Sequence, residues 1–78
     1  MSKEQFTAIL PYISADLAAM VAEKQGVPGE EAIKKLYGSQ LYAALESEET
    51  KLWQYSTQML YSLFEQEEKT GKIEFPDV

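Results

Sequence analysis

The stretch "KLYGSQLYAALESEETKLWQYSTQMLYSLF", residues 35–64, holds six of the nine aromatic side chains of the chain, four of them tyrosines. Its leucines, Leu36, Leu41, Leu45, Leu52, Leu60 and Leu63, supply an inner face for a helical core. Punctuation divides it into short helices. Gly38 stops one helix, and Ser39 caps a third short one that runs through Glu46 and buries Leu41, Tyr42 and Leu45. Ser47 caps again, with Glu48 and Glu49 at the next N-terminus, and "TKLWQYS" is expected to continue as helix. Ser56 or Thr57 offers one further break before a final helix that ends near Thr70, with Gly71 after it.

Upstream, Ser2 and Gln5 form the pattern of a capping box. Phe6, Ile9, Leu10, Ile13, Leu17, Met20 and Val21 then recur at intervals of three and four and mark one stripe, with Glu4, Asp16 and Glu23 away from it. Pro11 interrupts the run without changing its phase. Two readings follow: a short turn and then a helix from about Pro11 to Lys24, or one kinked helix. Gly26 and the Pro28-Gly29 pair end that element. A second helix is expected from about Pro28 to Tyr37, burying Val27, Ile33, Leu36 and Tyr37. Its Glu30–Lys34 and Glu31–Lys35 spacings are those of i, i+4 ion pairs. "KIEFPDV" alternates apolar and polar residues and carries Pro76, so an extended tail is expected over 73–78 beyond a single helical domain of 1–72. The fold class is all-α, a small bundle of four to five helices.

Composition narrows the function. Seventy-eight residues make one small core, and with neither cysteine nor histidine in the chain there is no disulfide and no ordinary zinc ligand set. The net charge is −6, and every cation is a lysine. Lacking arginine and a basic face, the chain is not expected to bind nucleic acid, and a basic protein is the more natural partner. The N-terminus lacks the layout of a signal peptide, and no run approaches the length of about 18 uninterrupted apolar residues needed for a membrane span. A cytoplasmic location is expected, with no membrane partner.

Catalytic motifs are missing. Serines and threonines stand without a histidine or cysteine to form a nucleophile–base pair, the glycines stand at turns, and Glu46 and Glu49 lack the histidines of a dinuclear carboxylate site. A helix-turn-helix drawn around "KKLYGSQLYAALE" would present a second helix with no base-reading side chain. No enzyme activity and no cofactor are expected.

Two groups of residues suggest binding. Tyr42, Trp53, Tyr55 and Tyr61 combine a large apolar body with a polar tip, as interface anchors do. Together with Tyr37 these are expected to line the core with their hydroxyls reaching the surface, Tyr42, Tyr55 and Tyr61 being the more exposed members at its margin. Glu65, Glu67 and Glu68 fall in the last turns of a helix, where each acid opposes the dipole at about 0.3–1 kcal/mol. An acidic surface facing a basic partner would account for that cost.

The residues Glu31-Ala32, Leu36-Tyr37, Ser39, Tyr42, Leu45-Glu46, Thr50-Lys51-Leu52-Trp53 and Gly71-Lys72-Ile73 form a pattern covering most of the chain. It resembles that of a group of short, all-helical, uncharacterised proteins of Gram-positive bacteria. The resemblance implies genes placed near those of toxin-type proteins, and an antitoxin-like or accessory role; it transfers no functional residue. The expectation is therefore a non-catalytic protein–protein interaction module using the aromatic and acidic surface. The alternative is a self-associating homodimer that completes an undersized core.

Overall fold

The computed structural model describes residues 2–72, and these form an all-α bundle. Four α-helices follow in order: α1 (Lys3–Gln25), α2 (Gly29–Tyr37), α3 (Gln40–Leu45) and α4 (Thr57–Thr70), with two 3₁₀ turns, Glu48–Thr50 and Leu52–Gln54, between α3 and α4. The tail expected over 73–78 lies outside the described residues.

Each helix boundary has a local cause. The Ser2 hydroxyl accepts from the Gln5 amide and the Gln5 side chain accepts from the Ser2 amide, so the capping box closes as the spacing implies. Pro11 neither starts nor divides α1: the helix runs through it unbroken. Proline has no N–H, so the Thr7 carbonyl loses its partner four residues on. The exposure of Pro11 leaves that carbonyl open to water, which limits the cost. Gly26 ends α1 at φ 65°, a left-handed position that suits glycine. Ser39 and Ser56 cap α3 and α4 by accepting from the Tyr42 and Met59 amides.

The expected helix through "TKLWQYS" does not form. Lys51 takes φ 57°, which breaks the α-helical path between the two 3₁₀ turns. The Thr50 hydroxyl donates to the Ala44 and Ser47 carbonyls (2.8 and 2.9 Å), and the Trp53 indole N–H donates to the Glu48 carbonyl (3.2 Å). These side chains satisfy backbone groups that a continuous helix would have paired internally. Leu52 still reaches the core.

α1 packs against both α2 and α4, and α3 bridges α2 and α4. Leu17, Val21, Leu36, Leu41, Leu45, Leu60 and Phe64 are wholly or almost wholly removed from solvent. Leu10, Ile13 and Met20 complete the α1 stripe as half-buried neighbours. On α2 the expected buried face is rotated: Ala32 and Leu36 point inward, whereas Ile33 and Tyr37 are 44% and 53% exposed. With Ala32 and Leu36 wholly buried, Ile33 and Tyr37 fall on the outward side of α2. The expected i, i+4 pairs on α2 are not made either, since Lys35 reaches Glu68 on α4 (3.8 Å) and the Gln25 side chain (3.1 Å) instead.

Replacing Pro11 by alanine restores a missing helix hydrogen bond at an exposed site. Pro11→Ala is expected to raise the unfolding free energy by about 1–3 kcal/mol, read from urea denaturation at unchanged m-value.

Candidate interaction surface

The residues singled out by sequence separate into three environments. Tyr61 is core, only 9% exposed and 6.4 Å from the Phe64 ring, which corrects the expectation that it stands at the exposed margin. Phe64 lies three residues on, about one helical turn, so the two rings share one side of α4. Trp53 and Tyr55 are half-buried on the 3₁₀ segment, with the Trp53 N–H committed to the Glu48 carbonyl. Tyr42 is half-buried and stacks on Tyr37, with ring centres 4.4 Å apart and planes 18° apart, while its hydroxyl accepts from buried Ser14 of α1 (3.3 Å). This stack ties α1, α2 and α3 together. The Tyr37 hydroxyl titrates above the ordinary tyrosine value, first through its hydrogen-bonding interaction with the Tyr42 side chain, then through charge on Tyr42, burial and Glu46.

The three C-terminal acids all have partners inside the molecule. Glu67 accepts from the Gln40 and Leu41 amides at 2.8 and 3.0 Å, so it caps α3 from the far end of α4. Glu68 accepts from the Gln25 side chain and pairs with Lys35, and Glu65 pairs with Lys69 (3.6 Å). Glu67 and Glu68 thus clamp α4 to α1, α2 and α3, and fold geometry accounts for their placement without a partner, whereas Glu65 pairs only within α4. Glu46, Glu48 and Glu49 are elsewhere, beside a cleft of about 470 Å³ that Lys3, Phe6, Thr7 and Leu10 also line. Glu46 and Glu49 do not share a helical turn, because α3 ends at Leu45.

A different surface has the character of a binding site. Between α1 and α2 lies an open groove of about 340 Å³, bordered by Pro11, Ala15, Ala18, Ala19 and Ala22 on α1 and by Ile33 and Tyr37 on α2, with no charged residue in its lining. Tyr12, 74% exposed, follows Pro11 on the same helix. Tyr12, Ile33 and Tyr37 are three of the four large hydrophobic side chains left exposed among the described residues; Ile33 and Tyr37 line the groove, and Tyr12 stands on α1 next to Pro11 of its lining. Clustering of that kind distinguishes a contact surface from the scattered apolar residues of an ordinary exterior.

The face arises from the composition of α1. The helix is apolar nearly all round, unlike the strongly amphipathic α2. By length and composition alone it is long and apolar enough to cross a membrane, and among the described residues no other helix is. Its Leu17 and Val21 side fills the core, while Ala8, Pro11, Tyr12, Ala15 and Ala19 face outward. Sequence reasoning passed over Tyr12 and the alanines and assigned Ile33 and Tyr37 to the core. The legible signal was the run of alanines at helical spacing along α1.

Two substitutions separate structural from contact roles. Tyr61→Ala is expected to cost about 3–5 kcal/mol, as for other buried aromatics, and Glu67→Ala about 1–2 kcal/mol through the lost cap, both measured by denaturant unfolding.

No family model matches the chain, and no curated protein or solved structure is detectably similar to it. The surface is therefore argued from its geometry alone.

Proposed function

We propose that this protein is a non-catalytic interaction module, accessory in character, whose docking surface is the α1–α2 face. One observation carries the reading: Ile33 and Tyr37 stand exposed in the lining of an uncharged groove, in a chain that is otherwise rich in charge. Exposing apolar area costs roughly 25 cal/mol per Å², so a face of this kind is stabilised when a partner covers it. Two further features support the choice over the aromatic and acidic surface. Tyr61 is spent on the core, and Glu65, Glu67 and Glu68 are held by intramolecular contacts. The reading keeps protein, rather than nucleic acid, as the partner, because thirteen acids outweigh seven lysines. It also treats α1 as a core helix and not a membrane span, on the support of Phe6, Leu17 and Val21, which bind it to the rest of the bundle.

A photo-crosslinking residue in place of Ile33 tests this. Adducts with another polypeptide are expected at position 33 and not at exposed Gln58 on α4, and they should disappear when Ala15→Glu is added. Adducts that form equally at both positions would refute the assignment. Ala15→Glu is itself expected to shift the monomer's melting temperature little, since exposed substitutions cost within about 0.5 kcal/mol.

A further inference from the structure

We infer that the occupant of the α1–α2 face is a second copy of this chain, paired through an antiparallel α1–α1 seam. The inference rests on the docking surface proposed above and names its partner. Ala8, Tyr12, Ala15, Ala19, Ala22 and Gly26 recur at alternating intervals of four and three, the spacing that keeps one seam of a helix facing another helix. The seam is almost symmetric about its centre. In an antiparallel crossing, Ala15 meets the partner's Ala19, Tyr12 meets the partner's Ala22, and Ala8 meets the partner's Gly26. A large side chain is thus set against a small one at each end, with small residues at the middle, where two helices approach most closely. Ala22 and Gly29 both line the groove, and exposed Tyr12 stands on α1 three residues before Ala15 of the same lining, so the pairing sets a protruding side chain of one copy against small residues of the other. A surface carrying both knob and hole is self-complementary, which a two-fold interface requires.

Size and charge agree with this occupant. The molecule measures 35 × 25 × 18 Å, and α1 spans about 34 Å of the long dimension. The seam therefore runs nearly the whole length of the molecule. Each copy carries −6, yet the groove lining carries no charge. Asp16 and Glu23 border the seam on the side away from α2, and Glu30 and Lys34 lie beyond the groove on α2. Net repulsion between two acidic copies makes salt favour this pairing, whereas salt weakens the docking of a basic partner.

Light scattering behind a sizing column decides it, with the full chain run over a hundredfold range of concentration at about 0.05 and about 0.5 M salt. The expected result is twice the 8.8 kDa chain mass, reached at lower concentration in the higher salt. Ala15→Glu and, independently, Tyr12→Ala should each weaken association at least tenfold, with helicity unchanged in dilute solution. A monomer at every concentration overturns the inference, as does a dimer that both variants leave intact or that loosens as salt rises. Should the monomer instead float with neutral phosphatidylcholine vesicles, the face belongs to lipid and the inference falls. The crosslink at position 33 separates the two claims. With a monomeric chain, an adduct to a different protein preserves the docking surface and removes only the second copy as its occupant, and the absence of any adduct removes both.

Discussion

α1 is 23 residues long, while α2, α3 and α4 have nine, six and fourteen residues. One long apolar rod must therefore serve as the wall against which three shorter pieces are assembled. The short pieces can cover only part of its circumference, and the covered part is the side bearing Leu17 and Val21. Most of the remaining architecture follows from that mismatch. α2 and α4 both pack on α1, bringing Ala32 and Leu36 from one and Leu60 and Phe64 from the other into the core, and α3 bridges the two. The surplus apolar surface of α1 is left outside, beside the outward side of α2.

Short helices hold poorly by themselves, since nucleation is costly and few internal hydrogen bonds offset it. Here polar contacts between elements supply the difference. Glu67 and Glu68, adjacent in sequence, project from α4 to different neighbours, one to the first amides of α3 and the other to Gln25 and Lys35. The stacked Tyr37 and Tyr42, with Ser14 behind them, do the same at the junction of α1, α2 and α3. In a chain without disulfides these contacts fix the angles between elements that a small core alone would leave loose.

The helical class and most boundaries were legible in the sequence because caps are local. Ser2 with Gln5, Gly26, Ser39, Ser56 and Gly71 all act within a few residues of themselves. Errors arose where a distant contact decided the outcome. The rotation of α2 buries Ala32 in place of Ile33 and Tyr37, an outcome set by how the helix packs on its neighbours, and nothing within α2 announces it. Glu67 looked unfavourable on its own helix because the amides it caps lie 26 and 27 residues earlier. The segment 47–56 read as helix because hydroxyl-to-carbonyl bonds and the left-handed Lys51 have no periodic signature. The docking face was missed for a simpler reason: alanine is silent in a search for large anchors.

Pro11 has a consequence for motion. The helical ladder lacks one rung where the Thr7 carbonyl faces a proline, so the turns before it are joined to the rest of α1 by fewer bonds than any other part of that helix. Of those residues only Phe6 is buried. The segment Ser2–Leu10 can therefore open as a separate cooperative unit, while Leu17 and Val21 keep the remainder seated. The cleft that Phe6 and Leu10 share with Glu46, Glu48 and Glu49 exists only while that unit is closed. Fraying of those first turns would open the cleft at one end of the molecule while Leu17 and Val21 stayed buried.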